Sequence, residues 1–207
     1  MESRLHILIA HIKELEQELV QEIQKKEEEY HYKIFGKKVT FEEWIKHEQK
    51  TLVMKIIPYI RDAAFLNILT APVIWAVLPA ALFLDFMITL YQTVCFPVYG
   101  IPEVQRSDYI VLDRHSLPYL NIIEKVNCEY CAYVNGLVAY VQEIAGRTEQ
   151  YWCPIKHALK VKDPHQRYYE FLEYGDADGY RARLEQLRDG LRAETSTDAT
   201  TPPPNVS

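Results

Sequence analysis

Residues 63–101 read AAFLNILTAPVIWAVLPAALFLDFMITLYQTVCFPVYGI. From Phe65 to Val98 they carry one charge, Asp85. A helix crosses the roughly 30 Å hydrocarbon core of a bilayer with about 20 apolar residues. This stretch is too long for one such helix and short for two complete ones. Pro72, Pro79 and Pro97 interrupt it. A soluble core helix keeps a polar face, and Asn67, Thr70, Asp85, Thr89 and Gln92 form no continuous stripe. The segment therefore predicts membrane association, in one of two geometries. A single helix of about 20 residues crosses with Asp85 near an end, or two shorter helices form a hairpin that turns near Pro79 or Asp85. An ionisable residue in such a segment is a functional candidate by default. The plainer role of Asp85 is to mark a polar turn or an interface.

The flanks bear on topology. Lys37, Lys38, Lys46, Lys50 and Lys55 precede the segment, which favours a cytoplasmic N-terminal side. The following IPEVQRSDYIVLDR is mixed in charge. A hairpin returns both flanks to the cytoplasm and keeps the downstream cysteines reduced. A single crossing exports them, and Cys128 and Cys131 would then pair as a disulfide. The hairpin is the preferred reading.

Upstream, Leu5, Leu8, Ile12, Leu15 and Leu19 recur in steps of three and four, with Ile23 four further on. This is a coiled-coil-like a/d seam over two to three heptads. It predicts a helix over residues 1–35 that either pairs with a second copy or docks on the chain's own body. Thr40 to Glu43 reads as a capping box opening a basic helix within residues 36–62, kinked at Pro58. A basic amphipathic helix beside an apolar segment suits an anionic bilayer surface.

Downstream, residues 102–193 are expected to form a helical domain. Ser116, Leu117 and Pro118 look like a helix start. Asn135-Gly136 could split the helix that follows, and Gly146 reads as its C-cap. Further helices are expected near Glu149 to Pro154, from Asp163-Pro164 to Tyr174, and from Tyr180 to Leu191. The polar, proline-rich tail of residues 194–207 should be disordered.

Four residues in this domain have metal-ligand chemistry. Cys128 and Cys131 form a C-x-x-C, and Cys153 and His157 a C-x-x-x-H. On helices, each pair shares a face. A turn back between them would bring three thiolates and an imidazole to one point, the ligand set of a closed structural zinc site. The same cysteines could instead be packing residues or a dithiol redox pair, and Cys153 with His157 could form a nucleophilic dyad. Covalent haem attachment is excluded because Ala132 follows Cys131. Glu143, Arg147 and Glu149 nearby are read as helix caps and ion pairs.

YLNIIEKVNCEYCAYVNG and GRTEQYWCPIKHA together resemble an uncharacterised family of small bacterial membrane proteins. The resemblance covers about residues 113–158. It implies a bacterial membrane protein centred on this stretch, and it supplies no activity or catalytic residue.

The remaining features mostly exclude. A net charge of −6 over 207 residues opposes general nucleic-acid binding, which needs a basic face. Four cysteines are too few for a disulfide-stapled secreted domain. The N-terminus lacks the form of a signal peptide. No phosphate-binding glycine loop or G-x-S-x-G occurs. The expectation is a mostly α-helical protein of the cytoplasmic membrane, with the lipid bilayer and a second copy of itself as partners. It would act as a scaffold around a zinc site at Cys128, Cys131, Cys153 and His157. The alternative is a membrane-bound thiol-redox or metal-dependent enzyme using the same residues.

Overall fold

The computed structural model describes residues 2–35, 38–62 and 65–198. The protein is mostly helical, as its periodicities predict. Its elements in order are α1 (Glu2–Tyr30), β1 (Tyr32–Phe35), β2 (Lys38–Phe41), α2 (Glu43–Thr51), α3 (Ile56–Asp62), α4 (Phe65–Trp75), α5 (Val77–Tyr99), α6 (Arg106–Tyr109), α7 (Ile122–Trp152) and α8 (Ala177–Asp198). They form two compact units. One holds residues 2–59 and 113–125, the other residues 60–112 and 126–198.

In the first unit, α1 ends at His31, whose φ of 53° turns the chain into an antiparallel hairpin. Tyr32 pairs with Phe41 and Phe35 with Lys38. The hairpin replaces the expected capping box. Tyr32, Ile34, Val39 and Phe41 alternate with the exposed Lys33, Phe35, Lys38 and Thr40 at the period of a strand. Thr40 lies in β2, where its hydroxyl donates to the Lys33 carbonyl at 3.3 Å. The N-cap of α2 is Glu42, without a side-chain cap bond. The basic segment also breaks earlier than expected. α2 ends at Leu52, and Pro58 sits in the first turn of α3, where a missing N–H is tolerated.

The start of α7 shows what the Ser116 reading missed. Arg114–Ser116 form only a 3₁₀ turn. The cap is Asn121, whose Oδ1 accepts the N–H groups of Ile123 and Glu124 at 2.9 and 3.0 Å. Glu124 reaches back to the Asn121 N–H at 2.8 Å. That reciprocal pair is a capping box. Asn121 Nδ2 also donates to the Met54 carbonyl at 3.4 Å, which ties this segment to the loop after α2.

The second unit corrects the hairpin. Ala76, between α4 and α5, keeps helical torsions (φ −63°, ψ −18°) and bonds back to the Pro72 carbonyl at 2.9 Å. Phe65 to Tyr99 is therefore one helical path of 35 residues, about 52 Å long at 1.5 Å per residue. Pro79 falls in the first turn of α5, where proline does not break a helix. Asp85 lies within α5 rather than at a turn. The path stops at Gly100, whose φ of 67° caps it in the left-handed region.

From Ile101 the chain doubles back along α5 as an extended strap. Val104 reaches Gln92 and Arg106 reaches Asp85. Helix α7 then runs beside α5 in the same direction, because Asp85 meets Tyr133, Gln92 meets Tyr140, and Tyr99 meets Tyr151. The core between them is Ala81, Phe96, Ile101, Val104, Ile110, Leu137, Tyr140 and Ile144, closed by Leu191 of α8.

Helix α7 is continuous over 31 residues. Neither Asn135-Gly136 nor Gly146 interrupts it. Both glycines are buried where something approaches closely. A Cβ on Gly136 would meet the Tyr109 carbonyl oxygen at 2.5 Å, and one on Gly146 would meet the His165 ring at 2.9 Å. Past Trp152 the expected helices give way to a loop. It contains a 3₁₀ turn at Gln166–Glu170 and a single parallel bridge from Ile155 to Leu172. Helix α8 begins after the Asp176 carboxylate caps the Gly179 N–H at 2.8 Å. It continues to Asp198, so the first residues of the expected disordered tail are helical. Residues 199–207 lie outside the described residues.

Candidate functional site

Three polar clusters define the chemistry of the second unit. The first surrounds Asp85. Its carboxylate accepts from Arg106 Nη2 at 2.7 Å and Nε at 3.3 Å, from the Tyr133 hydroxyl at 2.8 Å and from Thr89 at 3.4 Å. These partners come from the strap, α7 and α5 itself. The charge expected to mark a turn or an interface marks an interface.

The second cluster is about two turns further along α5. Gln92, 5% exposed, holds the strap by both ends of its amide. Its Oε1 accepts the Val104 N–H at 2.9 Å, and its Nε2 donates to the Val104 carbonyl at 3.3 Å and to Tyr140 at 3.2 Å. The side chain thus stands in for a neighbouring β-strand.

The third cluster joins α7, the loop and α8. Glu143 accepts from Arg147 Nε at 2.8 Å and from Arg167 Nη2 at 2.8 Å. Arg167 also grips Glu194 at 2.7 Å and Gln150 at 2.9 Å. Arg147 Nη1 donates to the Pro102 carbonyl at 2.9 Å, which fixes the start of the strap. Burial pushes the Glu143 carboxyl up. The two guanidinium groups outweigh that and hold it below the usual carboxylate range. Burial works against the charge on Arg167, yet its two carboxylate partners raise its pKa further above neutrality. Beside this network, His165 Nε2 lies 2.9 Å from Glu149. The expected ion pairing is present between Glu143 and Arg147. Arg167, Glu194 and Gln92 were not foreseen. The i, i+4 spacing of Glu143 and Arg147 is legible in the sequence; the long-range partners carry no local signal.

The Cys/His constellation does not come together. Cys128 and Cys131 share a face of α7, the first half-buried and the second exposed. Cys153 lies just beyond the other end of the same helix, so 22 residues of helical path separate it from Cys131. That is roughly 33 Å along the axis. His157 sits in the loop, its ring stacked on Tyr168 at a centroid distance of 6.0 Å. The turn back that would have united the four ligands is absent, because Asn135-Gly136 and Gly146 are absorbed into the helix. Among the described residues, no group of three or more His, Cys, Asp or Glu side chains could hold a metal ion. The residues therefore do not fit the four-ligand zinc site. Of these residues, Cys128 and Cys131 lie together, on one face of α7.

What α4 and α5 present outward is as informative as what they bury. Leu82, Phe83, Phe86, Met87, Leu90, Val94 and Val98 face away from α7 and the strap, each at least 42% exposed. The inward positions are Ala81, Asp85, Ile88, Gln92 and Phe96, so the ionised and amide groups of α5 are on its packed side. Exposed Thr70 and Thr93 close their hydroxyls on carbonyls of their own helix, at Leu66 (3.0 Å) and Thr89 (2.9 Å). Only 6% of the most apolar part of this path is buried.

No protein-family model, curated protein or solved structure matches the chain.

Proposed function

We propose that the protein is a membrane-associated helical scaffold, held in the bilayer by the α4–α5 path. The observation that carries this reading is the reversed polarity of α5. A water-soluble helix turns its apolar face inward. Here the outward face is the more apolar one, and the Asp85 carboxylate and the Gln92 amide are turned inward onto their partners. Lipid demands this arrangement, because hydrocarbon offers no hydrogen bonds to exposed polar groups. The back-bonded threonines meet the same demand. Water would instead face an apolar surface far larger than monomeric soluble proteins ordinarily expose.

The length is sufficient. Phe65 to Leu84 is free of charge and alone matches the 20 or so residues of a crossing. Asp85, the first charge, is satisfied by Arg106 and Tyr133. The lysines of residues 38–55 favour a cytoplasmic N-terminal side. The scaffold part of the reading rests on the chemistry that does converge. The three polar clusters join elements of the protein to one another, whereas Cys153 and His157 lie far from Cys128 and Cys131.

Cell fractionation tests the reading. The wild-type chain is expected in the membrane fraction, released by detergent and not by high salt. Leu69→Lys/Val73→Lys alters only exposed residues near the middle of the span from Phe65 to Leu84, and each lysine costs about 2.5–3.5 kcal/mol at the centre of a bilayer helix. The double variant should shift to the soluble fraction or fail to accumulate. A wild-type chain that stays soluble and monomeric without detergent overturns the proposal.

A further inference from the structure

Helix α1 is 29 residues long, about 43 Å at 1.5 Å per residue. Its main neighbour within its unit is β1, at its C-terminal end. Leu15 and Leu19 stand 53% and 61% exposed, and Ile23 is exposed beside them. They continue the line of Leu5, Leu8 and Ile12, whose side chains lie outside the described residues. A lone helix with a leucine stripe in water leaves its apolar face unpartnered, and most helical stability comes from packing such a face.

We infer that α1 pairs with α1 of a second copy of this chain as a parallel two-stranded coiled coil. The spacing selects this occupant. Leu5, Ile12 and Leu19 fall at a, and Leu8 and Leu15 at d, the 3.5-residue repeat of a coiled-coil seam, with Ile9 and Ile23 flanking it at e. Flanking charges agree. In this register Arg4, His11, Glu18 and Lys25 occupy g, and Ile9, Glu16, Ile23 and Tyr30 occupy e. In a parallel pair each g residue meets the e residue five places on in the other copy. No such pair is like-charged, and His11 meets Glu16.

The seam is short. From Leu5 to Leu19 it covers about 21 Å, and after Glu22 the repeat slips to Ile23. A free peptide of this length would associate weakly. Confinement of both copies to one membrane raises their effective concentration and makes a short seam sufficient. In its strength, though not its geometry, the pairing thus rests on the bilayer reading.

Disulfide trapping in phospholipid vesicles reads the pairing directly. Full-length Leu15→Cys places a thiol at d, and Gln17→Cys places one at f, on the outer face of the same helix. After mild oxidation, Leu15→Cys should give at least five-fold more cross-linked dimer than Gln17→Cys, above the wild-type background from its four native cysteines. Adding Leu8→Asp and Leu19→Asp to Leu15→Cys should reduce that product at least five-fold, with vesicle binding unchanged. Equal trapping at positions 15 and 17, or trapping that survives the two aspartates, overturns the inference. Vesicle flotation of the same samples separates this failure from a failure of membrane association.

Discussion

Gln92 binds Val104 as one strand binds another, its side-chain oxygen accepting the Val104 N–H at 2.9 Å and its amide nitrogen donating to the Val104 carbonyl at 3.3 Å. The strap has no strand neighbour at this point, so a single side chain completes its hydrogen bonding. Replacement of Gln92 by leucine keeps the volume and removes both bonds. Two buried backbone groups are then unsatisfied, at about 1–3 kcal/mol each. The Gln92→Leu variant should melt well below wild type in detergent, by an amount equivalent to about 2–5 kcal/mol. Gln92→Glu retains one acceptor and should lie between them at neutral pH. An unchanged melting temperature for Gln92→Leu would show that the strap does not depend on this bond pair.

Gly136 is the second point where the strap and α7 depend on one residue. A Cβ there would lie 2.5 Å from the Tyr109 carbonyl oxygen and 2.9 Å from the Ile110 Cα, and both are backbone atoms. Neither can rotate away as a side-chain tip could. Gly136→Ala should therefore destabilise the protein by about 1–3 kcal/mol through overpacking, despite the better helix propensity of alanine. Gly190 supplies the control. It lies in α8 with nothing within 4 Å of a built Cβ, so Gly190→Ala should be neutral or stabilising by up to about 1 kcal/mol. Thermal unfolding of the two variants side by side gives the sign of each effect.

These two residues show how far the sequence could be read. The apolar length of residues 63–101 and the 3.6-residue periodicities are local properties, and they correctly indicate a mostly helical chain; the preferred hairpin gives way to one 35-residue helical path. The errors came from residues with two local meanings. Pro79 reads as a break, yet is harmless in a first helical turn. Gly136 and Gly146 read as helix ends, yet serve as contact points in the middle of α7. Thr40 reads as a cap, yet belongs to the β1–β2 hairpin, paired with Lys33. At Gly136 and Gly146 the outcome is set by Tyr109 and His165, which approach from elsewhere in the chain and leave no mark in the local spacing. The zinc constellation failed with them, because it required the turn that Gly136 and Gly146 do not make.

Glu143 should govern the response to acid. Its carboxyl is held below the ordinary range in the folded protein, burial being outweighed by Arg147 and Arg167. A carboxylate with a depressed folded pKa contributes stability that is fully present above its unfolded pKa and is lost as pH falls through the folded one. The contribution of Glu143 is therefore complete at neutral pH and declines below about pH 4.3, its unfolded value. Glu143→Gln breaks a largely buried ion pair and should cost about 3 kcal/mol at pH 7. Between pH 5 and pH 3 the wild type should lose stability faster than the variant, so the difference narrows. Melting curves at half-unit pH steps measure this. A gap that stays constant down to pH 3 would mean that Glu143 does not supply the acid-sensitive charge.

The separation of Cys131 from Cys153 decides between one long helix and a folded-back ligand cage. Both thiols are exposed, so each can carry a spin label in a background with Cys95→Ser and Cys128→Ser. With α7 intact from Ile122 to Trp152, the labels should report a distance on the order of 30 Å, from 22 residues at 1.5 Å each. A cage of four ligands around one zinc ion requires the two sulfur atoms within about 4 Å, given zinc–sulfur bonds of about 2.3 Å. Pulsed dipolar spectroscopy resolves these cases without ambiguity. Adding one equivalent of Zn²⁺ to the unlabelled wild type should leave Cys131 and Cys153 as reactive toward a maleimide as before, because neither has the other within reach. A distance near 30 Å with unprotected thiols is the expected outcome. Mutual protection of the two cysteines by zinc would show that α7 bends back after all, most plainly at Asn135-Gly136, where the strap now presses against the helix.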